Sequence, residues 1–187
     1  GKVNASLALF RIEQRNRAEL DLVNTCSSGT ECYFSAGKVR SEGVDAEISG
    51  EVAPGWQLFA GYTLNNFKYL EQTSNAGVMF ASTYSPRHML RAWSDYRLPG
   101  ALQQWSVGGG VNFQTESSRV TRDVTVAQGA YALWSARAAW QIDRNWTAAL
   151  SVTNLLDKRY YQTVGAPAWG NFYGEPRKAA LTLRARF

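Results

Sequence analysis

KAALTLRARF, residues 178–187, has two distinct faces when it is laid out as a β-strand. Successive side chains of a strand point to opposite sides. Ala179, Leu181, Leu183, Ala185 and Phe187 therefore share one face, and Lys178, Ala180, Thr182, Arg184 and Arg186 share the other. The first face is apolar and the second cationic. An apolar face needs cover, from protein in a soluble fold or from lipid in a membrane one.

The same alternation recurs along the chain. It predicts strands over residues 2–14, 39–52, 56–67, 86–98, 105–113, 132–142, 146–156 and 178–187. The first is ambiguous, with Leu7 and Leu9 on one side and Ala8, Phe10 and Ile12 on the other. Short turns are predicted at Ala53-Pro54-Gly55, Pro99-Gly100 and Asp143-Arg144-Asn145, and long polar segments at 15–38, 68–83, 115–129 and 157–174. Short and long connections alternate, so all the short ones lie at one end. Outer-membrane barrels have this asymmetry, and lipocalin-like soluble barrels are meanders too.

The aromatic residues favour the membrane. Trp56, Trp105 and Trp146 open strands just after short turns, and Tyr96, Trp140 and Phe187 close strands running toward the same end. All six belong to the apolar faces, as an interfacial girdle requires. Arg91, Asp95, Arg137 and Arg184 fall on the opposite phase, where a charge avoids hydrocarbon. The glycines of residues 105–113, with Gly109 on the face of Trp105, Val107, Val111 and Phe113, would weaken a strand in water but suit a crowded lumen-facing side. The expected fold is an all-β, antiparallel, up-and-down transmembrane β-barrel, with a soluble barrel or sandwich as the competing reading.

Composition agrees. Seven Trp, nine Tyr and sixteen Gly against five Pro suit many strands joined by tight turns. A net charge of +5 without any run of Lys or Arg argues against a nucleic-acid partner. No stretch approaches the ~18 apolar residues of a spanning helix. The mean hydropathy of -0.31 remains compatible with strands that alternate. GKVNASLALF at the start lacks the features of a signal peptide, so a leader is expected to have been removed or the chain to be internal. Cys26 and Cys32 are too few, even with the single His88, for a metal site. A small loop disulfide between them, in an oxidising compartment, is expected, and two free thiols are the other reading. His88 has no nucleophile at a fixed spacing, Gly108-Gly109-Gly110 lacks the phosphate-loop pattern, and Glu47 and Glu51 merely share a strand face. No enzyme is expected.

Asn154-Leu155-Leu156-Asp157-Lys158 with Arg159-Tyr160-Tyr161, then Tyr173-Gly174-Glu175-Pro176-Arg177 and a strand ending in Phe187, closely resembles the C-terminal signature of TonB-dependent outer-membrane receptors. Ser41 to Glu47, Pro54-Gly55-Trp56 with Gly61-Tyr62-Thr63, and Ser85 to Leu90 extend the resemblance over nearly the whole chain. It is strongest to the ferric siderophore branch, in particular receptors for hydroxamate and pyoverdine-type siderophores.

The resemblance implies a barrel of about 22 strands closed around an N-terminal plug. Residues 1–187, with about eight strands, would be its C-terminal portion, lacking the plug and earlier strands. The implied function is to bind a ferric siderophore at the extracellular face and import it to the periplasm with TonB-derived energy, in the outer membrane of a Gram-negative bacterium. TonB would act through the missing N-terminal part, outer-membrane lipid would cover the apolar faces, and barrel assembly machinery would read Phe187 as its signal. The alternative is a self-contained eight-stranded barrel with a structural or adhesion role. That alternative requires residues 2–14 to pair with residues 178–187.

A siderophore receptor implies aromatic and Arg side chains in the long segments, and Tyr33, Tyr69, Arg119 and Trp169 are the candidate ligand-binding residues, with loop packing as their other reading. Tyr160 and Tyr161 read as rim residues. The siderophore's own oxygens would hold the iron, so neither protein metal ligands nor a cofactor are expected.

Overall fold

A computed structural model describes residues 2–21, 32–71, 86–121 and 124–186. Its strands are β1 (Val3–Asp21), β2 (Cys32–Ala53), β3 (Trp56–Glu71), β4 (His88–Arg97), β5 (Trp105–Gln114), β6 (Ser117–Thr121), β7 (Val124–Gln128), β8 (Tyr131–Gln141), β9 (Trp146–Thr153), β10 (Tyr161–Thr163), β11 (Phe172–Tyr173) and β12 (Lys178–Ala185). Eight of them form one antiparallel sheet in the order β1-β2-β3-β4-β5-β8-β9-β12. Each expected strand is present, and each pairs with its expected neighbour. β1 and β12 are opposite edges of an open sheet, so the closed ring required by a self-contained eight-stranded barrel is not what these strands form.

Two of the expected long loops are shorter than their polarity suggested. β1 continues to Asp21 and β2 begins at Cys32, paired from Asp21↔Cys32 through Leu20↔Tyr33, and β3 continues to Glu71. A spanning strand needs only ~9–11 residues, so these three run on well past the membrane. The sequence there, RNRAELD at 15–21 and CYFSAGK at 32–38, carries no sustained apolar alternation. Tyr33 and Tyr69 consequently lie on strands, not in loops. The segments at 115–129 and 157–174 contain the short pairs β6–β7 and β10–β11.

Register settles which face is which. Leu7 and Leu9 pair with Ala46 and Val44, placing them on the apolar side, whereas Phe10 pairs with Gly43 and Ile12 with Ser41 on the other. The polar side of the sheet is concave, a hollow of about 460 Å³ with Arg137, Thr147, Ser151, Thr182 and Arg184 in its lining. The apolar side faces outward.

Along the outward face the aromatic level descends in steps. Trp56 pairs with Tyr96, but Tyr96 pairs with Val107, two residues beyond Trp105. Trp105 pairs with Trp140, and Trp140 with Ala148, two residues beyond Trp146. The level thus drops two residues, ~6.7 Å, for every two strands, ~9.6 Å, a slope of about 35°. Outer-membrane strands tilt by ~35–45°, so the descending aromatics form a level belt once the strands are tilted. Trp105 and Trp140 stack at 5.5 Å, and Trp56 meets Tyr96 edge-on at 6.4 Å. Phe187 lies outside the described residues.

On the concave face Trp93 and Asp95 lie against β5. A Cβ on Gly108 would sit 2.7 Å from Asp95 Oδ2 and 3.1 Å from the Trp93 ring, and one on Gly110 would sit 2.6 Å from that ring. Glycine at these two positions leaves room for the indole. It also opens a lateral path: Gly108 pairs with Asp95 on one side and Arg137 on the other, and these two meet across it at 3.5 Å.

Candidate functional site

At the end with the long connections, the chain leaving β9 turns on two residues with positive φ, Asn154 (48°) and Asp157 (51°). Asn and Asp tolerate that region better than other side chains. Asn154 is buried at 5% exposure and fully used: Nδ2 donates to the carbonyls of Lys158 and Glu175 at 2.9 and 3.0 Å, and Oδ1 accepts from the Lys158 N–H at 2.8 Å. Asp157 Oδ1 accepts from the Arg177 N–H at 3.0 Å. Both ends of segment 158–177 are thereby fastened together beside β12. Tyr160 packs on Tyr131 with ring centroids 4.5 Å apart, and a Cβ at Gly174 would collide with the Tyr160 ring. Burial, with the Glu175 carboxylate nearby, pushes the Tyr160 phenol up from its ordinary value.

The fastened segment has a small interior of its own. Val164 and Ala166 are buried, and Asn171 ties the loop by accepting from the Gly165 N–H and donating to the Ala166 carbonyl, both at 2.8 Å. Tyr161 stacks on Tyr173 at 4.5 Å and donates its hydroxyl to that of Tyr173 at 3.1 Å, which raises the Tyr161 pKa. The Tyr161 N–H donates to Gln128 Oε1 at 2.8 Å, docking this loop on the β6–β7 hairpin. Across that seam the Arg119 guanidinium sits 5.8 Å from the centre of the Trp169 ring. Trp169, Phe172 and Tyr173 are nonetheless 67%, 65% and 70% exposed. A loop held rigid from below presents three aromatic faces and a cation outward. Such a surface can stack on a planar or organic ligand and attract an anionic one.

Residues 1–155 match the family model described as "TonB dependent receptor-like, beta-barrel". The chain belongs to the TonB-dependent receptor β-barrel family. This places it in the outer membrane of a Gram-negative bacterium. Among curated relatives it is 41% identical over 191 residues to the ferric-pyoverdine M114 receptor PbuA of Pseudomonas sp. (strain M114), covering 100% of this chain and 23% of that protein. It is 35% identical over 196 residues to the ferripyoverdine receptor of Pseudomonas aeruginosa, again covering 100% of this chain and 23% of the relative. Among solved structures, the pyoverdine outer-membrane receptor FpvA of P. aeruginosa PAO1 bound to pyoverdine superposes with a TM-score of 0.86 at 36% identity, over 100% of this chain and 28% of that one. The chain therefore spans under a quarter of the curated relatives' length. The resemblance to pyoverdine-type receptors seen in the sequence is borne out, and so is the partial barrel.

Of the four sequence candidates in this family member, the structure brings Arg119 and Trp169 together. Tyr33 and Tyr69 sit on β2 and β3 in register with Leu20 and Val39, and their side chains lie outside the described residues. Cys26 and the side chain of Cys32 do too. Gln128 and Asn171, which dock and tie the loop, were missed by sequence reasoning. The doubled aromatics Tyr160-Tyr161 and Phe172-Tyr173, flanking a Gly-Ala-Pro turn, were the available signal for the Tyr161–Tyr173 pair.

Proposed function

We propose that residues 1–187 are the C-terminal portion of a receptor that binds a ferric siderophore of the pyoverdine type at its extracellular face and admits it to the periplasm with TonB-derived energy. The function is recognition and transport, not catalysis. The rigid, outward-facing group of Trp169, Phe172, Tyr173 and Arg119 carries the reading, and the names of the relatives support it. Two long sheet edges, β1 and β12, support further strands in the complete barrel, because unpaired edges invite pairing. In this reading the plug and the TonB contact belong to earlier sequence, Cys26 and Cys32 form a loop disulfide, Tyr33 and Tyr69 extend the ligand surface, and Phe187 is the signal for barrel assembly.

Ferric-siderophore binding by the complete receptor tests it. Trp169→Ala is expected to weaken binding by about tenfold and Arg119→Ala by about fivefold, the scale of one lost aromatic or cation–π contact. Unchanged affinity in both variants would remove the site.

A further inference from the structure

The outward face of β1–β3 changes character abruptly. Leu9, Val44 and Leu64 are aligned across the three strands, with Leu7, Ala46 and Tyr62 aligned below them. The next outward row up is Arg11, Glu42 and Asn66, and the one after that is Glu13, Arg40 and Lys68. Each row is two residues, ~7 Å, further along the strands. The first charged row therefore stands where hydrocarbon gives way to headgroups, on the side of the long connections.

Charge in these rows is unbalanced. Glu13 Oε1 accepts from Arg11 at 3.0 Å and from Arg40 Nε and Nη2 at 3.0 and 2.8 Å, while Arg15 and Lys38 approach Oε2 at 3.6 and 4.0 Å. The Arg11 and Arg40 hydrogen bonds hold the Glu13 carboxyl down at about 2, so it is ionised at any physiological pH. Glu42 is 4.0 Å from Arg40. Among the described residues, and with Lys38 left aside, Arg11, Arg15, Arg40 and Lys68 outnumber Glu13 and Glu42 on this face. Arg11 and Arg15 are 57% and 72% exposed. Glu13 holds Arg11 and Arg40 side by side without neutralising the group.

We propose that this cationic shelf on β1–β3 is a docking surface for the phosphate groups of an outer-leaflet lipid whose acyl chains lie along Leu7, Leu9, Val44 and Leu64. An apolar wall under a row of guanidinium groups matches such a lipid in both halves, and Arg forks suit phosphate oxygens. A free anion would use the shelf and ignore the wall. An acidic protein partner would have to sit in the headgroup layer.

The test uses the complete receptor purified in detergent, titrated with lipid and read by native mass spectrometry. Bis-phosphorylated lipid A, a phosphate-free lipid A analogue and inorganic phosphate are the probes. The phosphorylated lipid is expected to stay bound, and the triple variant Arg11→Gln, Arg40→Gln, Lys68→Gln to lose about fivefold for each charge removed, on the order of a hundredfold in all. A matched triple on the concave face, Thr182→Gln, Arg184→Gln, Arg186→Gln, should retain it. Lys68→Gln alone leaves the Glu13 cluster intact and should cost about fivefold, so the test survives a misfolded triple. Equal retention of the phosphate-free analogue, displacement of the lipid by equimolar inorganic phosphate, or wild-type retention by Lys68→Gln and the shelf triple would each overturn the proposal.

Discussion

Leu181 and Leu183 on β12 are 78% and 61% exposed, whereas Val164, in the loop just before that strand, is 1% exposed. The wall and the loop platform of one chain are thus built for different solvents. In the wall, apolar side chains point out and polar ones point into the hollow, and backbone ladders join the strands. The platform reverses this, with Val164, Ala166, Tyr131 and Tyr160 covered and an Asn154 network beneath them. A segment that must stand in water carries a small core, and a segment bathed in lipid does without one.

The sharpest way to break that contrast is a charge on the wall. Leu150 faces outward four residues in from Trp146, near mid-membrane, and its neighbour Ser151 lines the hollow. In the complete receptor refolded into bilayers, Leu150→Arg is expected to cost about 2–4 kcal/mol of unfolding free energy and Ser151→Arg well under half of that. Equal costs would mean the faces are wrongly assigned. A smaller loss, about 1–3 kcal/mol, is expected from Gly108→Val by denaturant unfolding, because the new side chain meets Trp93 and separates Asp95 from Arg137. The platform should respond differently. Asn154→Ala leaves one N–H and two carbonyls without their partner, so hydrogen exchange in residues 158–177 should speed up by the equivalent of about 1–3 kcal/mol while the global unfolding midpoint stays put. A matching global shift would join the two regions into one cooperative unit.

The same contrast explains what could be read in advance. Inside the membrane, lipid and lumen impose opposite demands on alternate residues, so β12, β9 and β8 were legible to within a residue or two at most ends. Beyond the ~9–11 residues a span needs, the lipid and lumen demands no longer apply, alternation fades, and the stretch around the two cysteines looked like a loop although β1 runs to Asp21 and β2 starts at Cys32. The face of β1 could not be fixed from Leu7 through Ile12 alone, because both phases carry apolar residues; pairing with β2 supplied the answer. In the site, residue type and a place in the long segments, read through the receptor resemblance, singled out Arg119 and Trp169 together with Tyr33 and Tyr69. Their meeting depends on two hairpins docking through Gln128, a contact between distant parts of the sequence that no local pattern encodes.

Asp95 and Arg137 belong to β4 and β8, which exchange no backbone hydrogen bond. Their ion pair over Gly108 crosses two seams of the sheet at once. Side chains on the inside of a bend converge as it tightens and part as it flattens, so the pair acts as a brace under tension, opposing any unrolling of the wall about β5. A single absent side chain makes room for that brace, and with it a local preference for how tightly the barrel curves.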